Sequence, residues 1–326
     1  ACSWWRRMVS SRMPDPRPSI SVQVPVRDPG AAFAAFLGSL SLQERPGFSY
    51  ELVVVDDGSR IPVGDSFDLH PPGCVRTELV RIEGTGNRPR ARNAALEAST
   101  APIAFMTDAD LRLAPGVLAG HAAFHSRDGA DGRAVLRGSR VNAWSLSSTR
   151  WQRWFDTRAG GNDGTLSAMP WRHFVTGNAS LPRTLAFEAG CFDEAITHYG
   201  GEDTEFAYRL FLAGASFFRD PALRTDHLDD VTVRRHSSKM EEYGATGLFY
   251  TVTKHPALEG LLGTGWVSPR AGGAVSSIRA AAVRAAISDP VYRLVLAWMS
   301  RVGRPAFLFT YLSVGACLRG YTGRLR

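Results

Sequence analysis

Up to about residue 230, short apolar runs take turns with longer segments whose apolar residues recur every three or four positions. The runs at 20–26, 50–55, 74–82 and 102–110 predict strands, being short, apolar or β-branched, and bounded by turn residues. The run from Pro102 to Met106 is apolar throughout, the pattern of a buried parallel strand. Helices are predicted between these runs over 31–43, 89–98 and 115–126, the last entered through Pro115. Strand, helix, strand in this spacing is a βαβ unit with a right-handed crossover. The alternation continues with strands at 135–142, within 171–181, at 216–218 and at 223–227. A helix is predicted from Pro182 and Arg183 to about residue 190, and another from the Glu202-Asp203 pair through Phe206, Leu210 and Phe211 to Gly214, which caps it. Residues 143–170, rich in Gly, Ser and Trp, read as a long loop of the kind that serves as a lid. Beyond 230 the strand runs stop, and helices are predicted over 236–254, 274–287 and 291–318. The expected fold class is α/β, a mainly parallel central sheet flanked by helices, with a helical C-terminal extension.

Composition supports a globular chain. The protein has 326 residues, 44% hydrophobic and 21% charged, enough for one large domain or two small ones, and wholesale disorder is excluded. The cysteines, Cys2, Cys74, Cys191 and Cys317, are far apart, which suggests neither a disulfide framework nor a zinc cluster and fits a reducing, cytoplasmic setting. The net charge of +7 is unevenly placed: Arg270 to Arg326 hold nine arginines against Asp289, so +8, and the rest of the chain sums to −1. A basic tail on a near-neutral body suits an anionic membrane surface, such as the inner face of a plasma membrane, or a nucleic acid; of the two the membrane, and no nucleic acid, is the expected partner. The apolar stretch 305–318 falls short of the ~20 residues a span needs. It predicts an in-plane membrane helix with arginine anchors, or else a cap packed on the preceding domain. Residues 1–18 lack the apolar core of a secretion signal and read as a loose basic arm. The organisation is then an arm (1–18), a main domain (19–230) and a basic helical region (231–326).

Several strand ends carry acids. Asp108 and Asp110 close the run from Pro102; on an extended end they point to one side and suit a hard divalent cation, Mn²⁺ or Mg²⁺. A solvated Asp-rich turn is the alternative for so short a motif. Asp56-Asp57-Gly58-Ser59 repeats the pattern one strand earlier. Gly84-Thr85-Gly86 before a helix opened by Arg88, Arg90 and Arg92 can approach a diphosphate, although without a third Gly it is a weak dinucleotide signal. His121 and His125, four apart on a helix, form either a metal pair or part of the core. Gly200-Gly201-Glu202-Asp203 sets an acid pair at a helix N-terminus, where the helix dipole alone favours acids. His227 stands by itself at a strand end.

The order of these motifs resembles family 2 glycosyltransferases of the GT-A fold. The residues that carry the resemblance are Val53-Val54-Val55-Asp56-Asp57-Gly58-Ser59, Ala91-Arg92-Asn93, Thr107-Asp108-Ala109-Asp110, Gly177-Asn178, Phe192-Asp193-Glu194, Gly200-Gly201-Glu202-Asp203, Arg209 and His227. The Gly-Gly-Glu-Asp stretch also resembles the C-terminal domain of β-1,4-galactosyltransferases. The resemblance covers about 19–230. It implies an inverting transferase that moves a sugar from a nucleotide-sugar donor to a carbohydrate, lipid-linked or small-metabolite acceptor. Carried over, Asp57 and Arg92 would bind the base and Asp108 the ribose, with Pro25, Arg27, Asp56, Ala109, Gly177 and Asn178 completing the donor site. Asp110 and His227 would hold Mn²⁺ or Mg²⁺. Asp203 would be the general base, and Glu202 would place the acceptor. The first strand departs from the family's Pro-x-Tyr-Asn: Pro25-Val26-Arg27-Asp28 offers a guanidinium plane to stack on the base, leaving UDP as the default and dTDP and GDP open. A nucleotidyltransferase and a non-catalytic nucleotide-sugar-binding module are the rival readings. A glycosidase ranks below them, because it needs no metal-held diphosphate.

Overall fold

The structure, a computed structural model, describes residues 18–43, 48–84, 86–127, 132–143, 149–158, 164–229, 231–268 and 274–325. The arm expected over 1–18 lies outside them except for Pro18, as do parts of the expected lid.

The first half alternates as the pattern predicts. β1 (Ile20–Val26), α1 (Ala31–Leu40), β2 (Tyr50–Asp57), a single turn α2 (Val63–Ser66), β3 (Cys74–Ile82), α3 (Arg88–Ala98) and β4 (Ile103–Met106) follow one another. Then come β5 (Leu111–Leu113), α4 (Val117–Ser126), β6 (Ala134–Asn142), α5 (Arg150–Arg158), β7 (Ser167–Ala168), β8 (Ala179–Pro182), α6 (Arg183–Glu188), α7 (Glu202–Leu212) and β9 (Ser216–His227). The strands form one sheet in the order β3-β2-β1-β4-β8-β6-β9-β5, with β7 beside β9. Pairing is parallel from β3 to β4 and between β6 and β9. It is antiparallel where β8, β5 and β7 join. The expected predominance of parallel pairing therefore describes the N-terminal half, and the C-terminal half is mixed.

Alternate residues of the central strands serve opposite faces. Val22, Val24, Leu52, Val54 and Phe105 pack with Phe33, Phe36, Val117 and Leu118 of α1 and α4. On the other face Val53 and Val55 meet Ala91 and Ala95 of α3. Ala104 and Met106 share a core with Phe206 and Leu210 of α7. Each fully buried aliphatic contributes roughly 1.5–3 kcal/mol, which fixes the strand register that carries the acids.

Three expectations are corrected. The run ending in Asp108 and Asp110 leaves the sheet at Met106, so the two acids stand on a turn between β4 and β5 and not on an extended end. Most of the strand expected within 171–181 is two 3₁₀ turns, Trp171–His173 and Thr176–Asn178, before β8. The expected loop 143–170 contains α5 and β7. The signal for α5 was present: Trp151, Trp154 and Phe155 fall on one helical face and pack around His236 and Phe309.

The C-terminal region is α8 (Val233–Tyr243), a π-helical turn (Gly244–Leu248), α9 (Phe249–Lys254), α10 (Ala274–Ala286), α11 (Asp289–Arg301) and α12 (Phe307–Gly323). α8 and α12 pack backbone against backbone, and any side chain at Gly244 or Gly320 would collide with a carbonyl of the facing helix. Phe309, Leu312, Ala316 and Tyr321 of α12 are buried. This corrects the in-plane reading of 305–318: that stretch is a cap. Among the described residues no helix is long and apolar enough to cross a membrane.

Candidate active site

The C-terminal ends of β1, β2 and β4 open into a cleft of about 680 Å³, closed on its far side by α5, α7 and α8. Sheets of this kind gather ligands at such ends. Pro25, Arg27, Asp57, Arg92, Asp108, Ala109, Asp110, Glu202, Asp203 and His227 all line it, so most of the residues singled out in the sequence meet there.

Two of them do not face it with their side chains. Asp56 is 1% exposed and bonds the turn after β2, accepting from Ser59 N (2.8 Å), Val63 N (3.2 Å) and Arg81 Nη1 (2.6 Å). Its neighbour Asp57 faces the cleft, because successive strand residues alternate. Asn178 turns into the interior: its Nδ2 donates to the carbonyls of Ser139 (3.0 Å) and Leu223 (2.9 Å), and its Oδ1 lies 3.0 Å from His121 Nε2. Gly177 lies against Asp108, where a Cβ would come within 2.9 Å of the carboxylate. Asn178 and Gly177 therefore support the cleft wall from behind.

The histidine pair is core and not a ligand set. His121 Nδ1 and His125 Nε2 share Ser180 Oγ at 2.7 and 2.8 Å. Burial pulls their pKa values down to about 3 and about 4, so both are neutral at pH 7.

The cation candidates meet through strand register. β5 pairs with β9 so that Leu111 opposes His227, and Leu228 N donates to the Asp110 carbonyl at 2.9 Å. This sets His227 Nε2 3.3 Å from Asp110 Oδ2. Asp229, two residues beyond His227, joins them, with one ligand atom from each residue lying within 4.8 Å of the others. The buried Asp110 Oδ1 has no hydrogen-bond partner among the described residues. An orphaned buried carboxylate oxygen beside an imidazole and a second carboxylate fits a divalent cation. On the far side of the ring, His227 Nδ1 lies 3.1 Å from Asn142 Oδ1, and Asn142 Nδ2 donates to Asp156 Oδ1 of α5 at 2.5 Å. A proton on Nδ1 leaves the Nε2 lone pair facing Asp110.

The acid pair is positioned by glycine. Gly201, the residue before α7, has φ +99°, and a Cβ there would come within 2.7 Å of Gly247 Cα. Only glycine accepts both, and the turn delivers Glu202 and Asp203 to the cleft. Asp203 Oδ1 accepts from Thr176 Oγ1 at 2.9 Å and Oδ2 from Thr176 N at 3.4 Å. Desolvation raises its pKa, against the pull of Arg92 and Thr176. Glu202 is 5% exposed, its Oε2 has no partner among the described residues, and its nearest cation is Arg88 at 3.9 Å. Burial and the neighbouring Asp203 charge push it up to about 7. Asp203, with two donors and Arg92 nearby, is the one that ionises first.

Arg92 ties the two halves together. It is 5% exposed, and its Nη2 donates to Asp108 Oδ1 at 2.9 Å. Its charge acts on Asp108, Asp203 and Glu202 alike. Asp108 stays below its ordinary value despite desolvation, through Arg92, Arg140 and Arg88. Reading the sequence missed Asp229, Thr176, Arg140, Arg172 and the Tyr199 ring, which lies between Arg88 (5.3 Å) and Lys239 (5.2 Å). Asp229 alone had a local signal, an acid two residues beyond His227.

Comparison with known proteins bears on the family and the fold. The family model for glycosyl transferase family 2 matches residues 21–186. A validoxylamine A glucosyltransferase from Streptomyces hygroscopicus subsp. limoneus is 28% identical over 281 residues, covering 72% of this chain and 60% of that protein. The chain thus spans about 60% of that relative's length. Among solved structures, the mannosyltransferase PcManGT from Pyrobaculum calidifontis, in complex with GDP-Man and Mn²⁺, superposes with a TM-score of 0.63 at 18% identity, over 95% of this chain and 87% of that one. S. aureus TarS 1–349 in complex with UDP gives a TM-score of 0.52 at 16% identity, over 94% and 90%. At such identities the likeness is one of fold, the GT-A architecture.

Proposed function

This chain belongs to glycosyl transferase family 2, and from that premise we propose that it transfers a sugar from a nucleoside-diphosphate sugar to an acceptor hydroxyl, inverting the anomeric centre. UDP is the favoured nucleotide, with dTDP and GDP as alternatives, and the acceptor is a carbohydrate, a lipid-linked sugar or a small metabolite. The observation that carries the reading is a single cleft holding an Asp–His–Asp cluster and a buried acid pair, linked by Arg92 and Asp108.

In this reading Pro25, Arg27, Asp57, Arg92, Asp108 and Ala109 hold the donor nucleotide, while Asp56, Gly177 and Asn178 brace the wall behind it. Residues 19–230 form the transferase unit, and α8 supplies the acceptor side of its cleft through His236, Lys239 and Tyr243. Asp110, His227 and Asp229 would hold Mn²⁺ or Mg²⁺. Bound there, the cation would supply charge neutralisation and Lewis-acid help for the departing diphosphate. Asp203 takes the proton of the acceptor hydroxyl as that oxygen bonds the anomeric carbon and the bond to the diphosphate oxygen breaks. Its raised pKa suits this role, and the Thr176 donors keep the carboxylate aimed. Glu202, pushed up to about 7, keeps its proton below that pH and there donates a hydrogen bond beside the attacking oxygen.

Calorimetric titration with UDP, dTDP and GDP, each with and without Mn²⁺, tests the donor site. One nucleotide should bind in a metal-dependent way. Asp203→Asn should keep that binding and lose transfer by roughly 10²–10⁴-fold. Near-normal turnover in this variant would remove Asp203 as the base, and the absence of binding by all three nucleotides would remove the donor assignment.

A further inference from the structure

α11 buries Tyr292 and Met299 against α8 and α12 but leaves another stripe uncovered. Val291, Leu294, Trp298 and Val302 recur at spacings of three and four, so they share one helical face. They are 42%, 73%, 54% and 39% exposed, and Phe307, just beyond the helix, is 69% exposed. Single exposed apolar residues are ordinary; a contiguous stripe containing a tryptophan marks a surface that meets something apolar.

The charges beside the stripe select the partner. Arg301 and Arg304 are exposed and make no ion pair among the described residues, and Arg293 is paired with Asp289. Asp289 is the one acid in 270–326, against nine arginines. A second copy of this chain would bring the same positive charge to the interface, and like charges oppose that contact. An anionic bilayer surface accepts all the elements at once. Tryptophan favours the headgroup level, aliphatic side chains enter the acyl boundary, and arginine stems lie along it with their guanidinium groups among lipid phosphates.

We propose that the Val291–Leu294–Trp298–Val302 face of α11, with Phe307, Arg301 and Arg304, is a peripheral docking surface for an anionic lipid membrane. The surface lies on α11 and on Phe307 at the start of α12; the buried face of α12 is spent on internal packing. None of its residues lines the cleft, so the proposal does not rest on the assignment of the reaction.

The test is co-sedimentation of the chain with vesicles of phosphatidylglycerol and phosphatidylcholine, compared with phosphatidylcholine alone. Binding is expected to the anionic vesicles only, and to weaken as salt rises. Leu294→Glu with Trp298→Glu should reduce partitioning at least tenfold. Arg301→Ala and Arg304→Ala should reduce it by roughly fivefold each, the equivalent of ~1 kcal/mol per arginine at an anionic surface. Because these side chains are exposed, circular dichroism and Mn²⁺-dependent nucleotide binding should be unchanged, which separates a lost surface from a lost fold. Failure of the chain to sediment, or equal sedimentation of the Glu variants, overturns the proposal. So does a dimer in sedimentation velocity that the Glu variants dissociate, since the face would then belong to a second copy.

Discussion

Two adjacent acids at the start of α7 have the same charge and different surroundings. Asp203 has two Thr176 donors and the Arg92 charge; Glu202 has an oxygen with no partner among the described residues. Both are held above their own ordinary values, because burial penalises the charged form. A base must be ionised to act, so kcat/KM should fall as pH drops, along an acid limb lying above the ordinary aspartate value. Glu202→Gln should leave that limb in place, since Glu202 is still protonated while Asp203 ionises. Loss of the limb in this variant would exchange the two roles. The identity of these acids was legible in the sequence. Their division of labour was not, because it depends on Thr176, which lies 27 residues away and is brought close by a 3₁₀ turn.

α5, in a stretch expected to be loop, supports the candidate cation cluster. Its Asp156 holds Asn142, and Asn142 orients His227. Asn142 and His227 lie side by side because β6 and β9 are parallel and in register there. Asn142→Ala should therefore weaken Mn²⁺ affinity by roughly 10–100-fold while leaving the fold intact, the usual effect of removing a partner of a ligating histidine. Titration of the nucleotide complex with Mn²⁺ measures it, and an unchanged affinity would show that His227 needs no such orientation or does not bind the ion. Further back, Glu51 is wholly buried on β2 and accepts from Thr100 N (2.6 Å), Ala101 N (2.8 Å) and Arg76 Nη1 (2.7 Å). Burial works against its charge, but these donors hold its pKa below the ordinary value. Glu51→Ala would leave buried donors unmatched at about 1–3 kcal/mol, seen as a lower midpoint in urea; an unchanged midpoint would mean that water replaces the carboxylate.

For the molecule as a whole, the cleft costs stability. Glu202 has a folded pKa above its unfolded one, so its penalty is present at high pH and disappears as pH falls below the unfolded value. His121 and His125 have folded values below theirs, so they cost stability as pH falls from about 6.5 toward 4. The two effects oppose one another across mildly acidic pH. Glu202→Gln should raise the Tm at pH 8, by about 2–4 °C for each kcal/mol relieved. The gain should shrink toward zero by pH 4.5. A variant less stable than the parent at pH 8 would mean that the Glu202 carboxylate has a partner when ionised.

The local pattern of this chain determined most of its strands and helices and the acids that follow the strands, because apolar periodicity and turn chemistry act over a few residues. The same local reading placed Asp57, Asp108, Asp110, Asp203 and His227 as candidates, and the cleft gathers them. Tertiary structure decided what no local pattern carries. It turned Asp56 and Asn178 away from the cleft, added Asp229 through the pairing of β5 with β9, and buried α12 while leaving one face of α11 bare. Those outcomes depend on which distant residues pack against one another. Burial, hydrogen-bond partners and pKa follow from such contacts and not from the order of residues along the chain.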